Sequence, residues 1–411
     1  MAVIKAFECI KPAKEMAEEV AALPYDVYNR EEACKAVENK PYSFLRIDRA
    51  ETNFDSSVDT YDEAVYLKAK ELLDKMIEDK IYVKSDRKCY YIYELTMNGR
   101  VQTGIVACAS IDDYLNNVIK KHENTREEKE IDRIKHVDTC NAQTGPIFLA
   151  YRKNDIIKEI IEKVKKNAPI FSFTAEDGIK HVGYIIDEEN DIKTIENEFD
   201  KINEIYIADG HHRAASAVKV GLKRRKENPG YTGNEEFNYF LSVLFQEQEL
   251  MILPYNRVVR DTNGLTKDEF LNRISEKFDI ENRRDVQIQP VEKGTYGMFF
   301  ENEWYLLKAH KDIMSDDAVE GLDVSILQDN LLYPILGIED PRTDNRIDFI
   351  GGIRGLDELE RRCGSDMKVA FSMYPTSISE LFDVADAEKL MPPKSTWFEP
   401  KLRSGLFIHE L

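Results

Sequence analysis

The stretch "IYIADGHHRAASAVKVG" (205–221) concentrates groups that can do chemistry: one carboxylate, one glycine, one guanidinium, and two of the chain's seven histidines side by side. Ile205, Tyr206, Ile207 and Ala208 read as a buried strand. Ala214, Ala215, Ala217 and Val218 read as a helix that Gly221 is placed to end. The five residues Asp209, Gly210, His211, His212 and Arg213 therefore fall on a strand-to-helix turn. A helix start offers unbonded N–H groups and the positive end of the dipole, which together make an anion site. Gly210 lets the backbone approach a ligand, and Arg213 can grip phosphate oxygens with two donors. His211 and His212 point to different sides, so one can meet a phosphate while the other packs. The alternative is plain: Asp209 as a helix N-cap beside two surface histidines. Neighbouring histidines cannot easily share one zinc ion, whereas Asp209 is a suitable ligand for magnesium, which prefers oxygen.

These residues need elements to hold them. Leu72, Leu73, Met76 and Ile77 recur at helical spacing within 59–79. "CYYIYELTMNGRVQTGIVACAS" holds two β-rich runs about Asn98-Gly99, a strong hairpin signal. Ile131, Ile134 and Val137 predict a helix whose apolar side they form, and Ile156, Ile157, Ile160, Ile161 and Val164 predict another. Residues 23–47 read as a loop, a short helix, and an extended segment after Pro41. Further on come a strand in "FNYFLSVLF", a helix near 265–278, a hairpin in "GMFFENEWYLLKA", a helix over 322–336, and alternating strands and helices to the C-terminus. "GGIRG" (351–355) reads as a turn. The fold class is α/β, or mixed α+β.

Composition narrows the function. Acidic residues outnumber basic ones by 77 to 57, giving a net charge of −20. Such a surface disfavours nonspecific nucleic-acid binding, which depends on lysine and arginine meeting phosphates. The apolar stretch at the N-terminus is interrupted by charge, and nowhere do about 18 apolar residues run together, so neither a signal peptide nor a membrane partner is expected. Six scattered cysteines without a CxxC pair fit free thiols in a reducing cytoplasm.

The "DGHHR" turn resembles the phosphate-binding box of the ParB/sulfiredoxin superfamily, and among its members is most similar to the free-serine kinases. "KKHENTREEKEIDR" (120–133) resembles those kinases' His-Glu segment, whose glutamate is the general base. "PPKSTWFEPK" (392–401) resembles their C-terminal segment that contacts phosphate. Over nearly its whole length the chain also resembles the domain-of-unknown-function family 1015. "PYDV", "NKPYSFLRI", "HENTREEKE", "NAQTGPIFLAY", "ADGHHR" and "MPPKSTWFEPKLRSGL" match its blocks in order, although Leu23 stands where a doubled proline is expected. The resemblance implies a ParB/sulfiredoxin-like catalytic core with large α/β insertions. It divides the chain into a core over 1–261, an insertion or second subdomain over 262–350, and a segment over 351–411 that returns to the active site. Glu123 and Asp209 lie 86 positions apart, which implies inserted structure between the motifs.

Moving a phosphoryl group to an alcohol needs a base, fixed positive charge and usually magnesium. The motifs supply each. Glu123 is the expected base, with His122 and Asp209 beside it as catalytic groups. Gly210, His211, His212, Arg213, Lys394, Ser395 and Thr396 are expected to bind phosphate or nucleotide. Arg126 and Arg403 are expected to hold the substrate, and Asp209 to hold Mg2+. The expected function is a phosphotransferase that forms O-phospho-L-serine from free L-serine, or runs in reverse, with ATP, ADP or another phosphoryl donor. A phosphatase or nucleotide hydrolase on the same site is an alternative, as is a non-enzymatic ParB-like nucleotide-binding regulator. The last would need a DNA-binding module, and "LKRRKENPG" is too short to be one. Two local alternatives also stand: "HENTREEKE" as an exposed helix start capped by Asn124 or Thr125, and "PPKSTWFEP" as a rigid loop pinned by Trp397 and Phe398. Cys140 is expected to be a small buried residue. Sulfiredoxins carry their cysteine within the turn, where this chain has His211.

Overall fold

In the computed structural model, which describes residues 1–125 and 127–411, Asn98 and Gly99 turn the chain with φ of 51° and 80°. Paired positive angles are what a two-residue type I′ hairpin needs. The strands they join, Tyr90–Met97 (β1) and Arg100–Ser110 (β2), lie inside a mixed sheet. Its other main strands are Ile119–Lys120 (β3), Ile147–Tyr151 (β4), Phe171–Thr174 (β5), Lys180–Ile186 (β6), Ile205–Asp209 (β7) and Tyr239–Gln246 (β8). The order across the sheet is β3-β7-β4-β8-β2-β1-β6-β5, with Ile4–Lys5 also paired to β2. β3 runs parallel to β7, so their C-terminal ends lie on the same edge. This parallel pair brings the His-Glu segment, which follows β3, beside the turn that follows β7.

One face of the sheet buries Ile105, Leu149, Ile205, Ile207 and Leu244 with the inner residues of the helix Asp155–Val164. On that helix Ile157, Ile160, Ile161 and Val164 are buried, while Ile156 is exposed. The helix Glu63–Glu78 (α1) buries Leu73 and Met76, as its spacing predicts.

The helix Glu127–Cys140 (α2) departs from its apolar pattern. Ile131 is 46% exposed, and the buried side carries Glu130, Arg133, His136 and Cys140. Offsets of three, three and four residues place these four on one face. Burial of polar groups is tolerable only when they are bonded, and Glu130, Arg133 and His136 each have a partner. Glu130 receives Lys219 and Thr125, Arg133 binds Asp132, and the His136 ring meets the Ile47 carbonyl at 3.1 Å.

Two further expectations are corrected. Gly221 does not end its helix, which runs over His211–Glu227 (α3). A Cβ at Gly221 would come within 2.4 Å of the Phe237 carbonyl and 2.7 Å of Ile111, so the glycine serves close packing in mid-helix. The segment after Pro41 is not extended: it turns and enters the short helix Leu45–Asp48.

The chain divides into two units, the first comprising 1–250 and 400–411, the second 251–399. These limits differ from the expected boundaries at 261/262 and 350/351, because Tyr255–Val259 and Val369–Met373 both lie inside the second unit's sheet. That sheet contains Tyr255–Val259 (β9), Phe278–Arg284 (β10), Thr295–Phe300 (β11), Glu303–Ala309 (β12), Ile347–Gly351 (β13) and Val369–Met373 (β14). The order is β10-β12-β11-β14-β9-β13, antiparallel throughout. The predicted hairpin is β11–β12, and the predicted helix over 322–336 is α-helical only over Asp323–Leu327 before a π-helical turn. "GGIRG" forms a single 3-10 turn. The fold class is mixed α/β. Among the described residues, no helix is long and apolar enough to cross a membrane.

Candidate functional site

β7 ends at Asp209 with a shift of register against β4 between Ile207 and Asp209. Gly210 follows with φ 93° and ψ 31°, and the 17-residue α3 begins at His211 with no side-chain cap. Left-handed backbone of this kind favours glycine. Asp209 is therefore not the N-cap, which removes the simplest alternative for this motif. Arg213 folds back over the turn: a Cβ at Gly210 would stand 3.1 Å from its Nε and Nη2. Its Nη1 donates to the Pro146 carbonyl at 2.6 Å, which fixes the guanidinium against β4's approach. A capless helix start with a guanidinium folded over it is an anion-binding arrangement.

Lys401 donates to Asp209 Oδ2 at 3.0 Å. Burial pushes the Asp209 carboxyl up, but the charges of Lys401 and Arg213 outweigh it and hold the group well below the usual carboxylate range. Asp209 is thus a persistent anion and a weak proton acceptor. Lys401 lies within the quoted "WFEPK" block, yet nothing in that string pairs it with an aspartate 192 positions earlier.

The residues after β3 meet the start of α3. His122 and His211 are 3% and 4% exposed, and their rings meet edge-on with centroids 4.4 Å apart. Burial lowers His122 to about 4, against the raising effects of Asp209 and a hydrogen bond to the Ile207 carbonyl. Burial, and then the neighbouring His122, push His211 well below the ordinary imidazole range. Both rings are neutral at pH 7. Among the described residues, His122 Nδ1 and His211 Nε2 are buried without a hydrogen-bond partner, a costly state unless a ligand or water meets them. His211 Nδ1 lies 3.7 Å from Glu123 Oε2, and the Glu123 side chain is 56% exposed. The structure thus brings His122, Glu123, Asp209, Gly210, His211 and Arg213 into one neighbourhood, with His212 on the same first turn of α3.

Arg403 sits elsewhere in the first unit. Its side chain is 5% exposed and paired with Asp177, while Nε donates to His181 Nε2 at 3.3 Å. His181 Nδ1 in turn meets the Tyr93 hydroxyl at 2.8 Å. Burial, then the Arg403 charge, take His181 down to about 3. Arg403 is spent on this internal network, and Lys401 is the C-terminal cation on Asp209. Arg126 lies outside the described residues. Lys394, Ser395 and Thr396 belong to the second unit, on a loop where Lys394 has φ 57°. Arg257 holds the Lys394 carbonyl at 3.1 Å, Thr376 the Ser395 carbonyl at 3.0 Å, and Ser395 donates to Pro392 at 2.6 Å. Trp397 packs edge-on against Tyr255, with ring centroids 5.1 Å apart.

For magnesium, the described residues hold no group of three His, Cys, Asp or Glu side chains fit to cage an ion. One carboxylate with phosphate oxygens and water is a common magnesium arrangement, and Asp209 is the carboxylate available for it.

All six cysteines are free, and burial pushes the Cys140 thiol up to about 12. A thiol so far from ionising is a poor nucleophile. Replacing Cys140 with serine is therefore expected to leave the specific activity of soluble protein unchanged. Loss of turnover with an intact fold, read by circular dichroism beside the assay, would contradict this.

The family model described as protein of unknown function (DUF1015) matches residues 4–325. The chain belongs to that family. No curated protein matches it. Among solved structures it is similar to a free serine kinase in complex with AMP, at 13% identity and a TM-score of 0.32, over 74% of this chain and 92% of that one. It is also similar to SbnI with a C-terminal truncation from Staphylococcus aureus, at 10% identity and a TM-score of 0.39, over 72% and 84% of the two chains. A conserved hypothetical protein from Pyrococcus furiosus shares 12% identity and a TM-score of 0.32, over 75% and 97%.

Proposed function

We propose that the first unit is a small-molecule kinase that transfers a phosphoryl group from a nucleotide to the hydroxyl of free L-serine. The observation that carries this reading is the turn itself: an uncapped helix start at Gly210 with Arg213 folded over it. Phosphate oxygens would satisfy the open N–H groups of the helix start and the Arg213 guanidinium.

In the proposed reaction the α3 N-terminus and Arg213 hold the transferring phosphoryl group. Glu123 takes the proton of the serine hydroxyl as its oxygen bonds to phosphorus, and the bond to the nucleotide's leaving oxygen breaks. His211, 3.7 Å from Glu123, orients the carboxylate. Glu123 suits the role better than Asp209, because an acid held well below its usual range by Lys401 and Arg213 has little affinity for a proton. Asp209 instead anchors the two cations and would hold magnesium, which supplies charge neutralisation at phosphate oxygens.

Arg213→Ala is expected to weaken binding of phosphoserine by roughly 1.5–3 kcal/mol, the range of hydrogen bonds to charged groups. The fold should survive, since the lost partner is one carbonyl at the site's edge. Calorimetric titration tests this, and unchanged affinity would remove the phosphate assignment. Hydrolysis is separated from transfer by assaying phosphate release from ATP or ADP alone. Release at full rate without serine would favour a hydrolase.

A further inference from the structure

Arg133, on the buried face of α2, has more donors than the protein uses. Its Nε and Nη2 bind Asp132 Oδ2 at 2.9 and 2.8 Å, and its guanidinium lies 4.0 Å from the centroid of the Tyr25 ring. Nη2 is also 3.5 Å from the Asp48 carbonyl. Among the described residues nothing accepts from Nη1, although the side chain is only 9% exposed. Asp48 has the complementary vacancy. It is 4% exposed, its Oδ1 accepts from the Thr144 hydroxyl at 2.9 Å, and its Oδ2 has no donor among the described residues.

Both side chains line one pocket with Tyr25, Thr144, Arg213 and Ser404. A guanidinium and a carboxylate whose unused positions face one pocket can each take an opposite charge from a guest. One guest carrying an ammonium beside a carboxylate would meet both. Arg213 borders this pocket and also covers Gly210 in the phosphate turn, so a guest here has its far end directed toward that turn.

We propose that this pocket binds the α-carboxylate and α-ammonium of the acceptor amino acid, the carboxylate on Arg133 Nη1 and the ammonium on Asp48 Oδ2. The assignment rests on the kinase reading for which end of the guest reacts. It places on Arg133 the substrate-holding role that the sequence assigns to Arg126.

The test is calorimetry on the full chain with four probes: L-serine, ethanolamine (no carboxylate), 3-hydroxypropanoate (no ammonium) and inorganic phosphate. L-serine is expected to bind roughly 10- to 150-fold tighter than either truncated probe, the factor that charged hydrogen bonds carry. Arg133→Gln should bring L-serine down to the ethanolamine level while ethanolamine itself is unaffected. Asp48→Asn should do the same relative to 3-hydroxypropanoate. Neither variant should change phosphate affinity. L-serine binding no tighter than ethanolamine, including no binding at all, would overturn the assignment, as would undiminished L-serine binding by the folded variants. If either variant does not fold, the probe comparison on the unaltered chain decides alone. Zwitterion preference without phosphate binding would sink the phosphate reading and leave the pocket standing; phosphate binding without that preference would do the reverse.

Discussion

Glu123→Gln is expected to lower turnover by about 10²–10⁴, the usual contribution of a positioned general base, while L-serine and nucleotide still bind. The amide keeps the size of the side chain and loses its basicity. A serine hydroxyl is a poor nucleophile until a neighbouring group takes its proton, and Glu123 is the carboxylate that meets His211 at the edge of the turn. Glu127 and Glu128 provide the controls. Both are exposed in the first turn of α2, where acidic side chains favour the helix dipole, and their glutamine variants should leave turnover within about twofold. Stopped assays with a parallel binding titration separate the outcomes. Equal loss in all three variants would place the base elsewhere. Loss of serine binding in Glu123→Gln alone would make Glu123 a substrate-capturing group and leave the proton without its acceptor.

The second large effect concerns acid. His122 titrates near 6.5 in the unfolded chain and at about 4 in the folded one, because burial disfavours its charged form. Between those values the unfolded state binds more protons, so stability falls as pH falls. The contribution is whole above about 6.5 and is lost as pH drops toward 4, a change on the order of 3 kcal/mol. His211 shifts in the same direction. Asp323 in the second unit, raised by burial to about 7, has the opposite sign over the same interval, so the total stability curve does not isolate the histidine. The comparison of wild type with His122→Gln does. The stability difference between them should move in the variant's favour by a few kcal/mol from pH 7.5 to pH 4.5, measured by urea unfolding at each pH. A difference constant across that interval would mean that His122 is not held neutral.

Local chemistry was readable from the chain where one short segment contains both the signal and its partner. Gly210 between a β-rich run and an alanine-rich one predicted the turn, and Asn98-Gly99 predicted the hairpin, because each conformation depends on the residues that form it. The helix α2 was readable as a helix but not in its orientation. Ile131, Ile134 and Val137 carry the apolar period, yet the buried face is Glu130, Arg133, His136 and Cys140. Its polar residues find partners from elsewhere in the sequence: Lys219 for Glu130 and the Ile47 carbonyl for His136. No periodicity rule sees such partners. Lys401 on Asp209 and Asp48 opposite Arg133 escaped for the same reason, since pairs across large sequence separations exist only once the sheet and helices have assembled. Gly221 failed as a helix end because its lack of a side chain serves the approach of the Phe237 carbonyl, a tertiary contact that its position in the string does not disclose.

Transfer of a phosphoryl group to free serine in the proposed kinase is tested by phosphorus NMR of the full chain. The protein is incubated with magnesium, L-serine and, in separate tubes, ATP or ADP, with Arg213→Ala alongside. A growing O-phosphoserine resonance is expected in at least one tube, matched mole for mole by the dephosphorylated nucleotide and much slower with the variant. Inorganic phosphate appearing at the same rate with and without serine, and no phosphoserine from either donor, would contradict it.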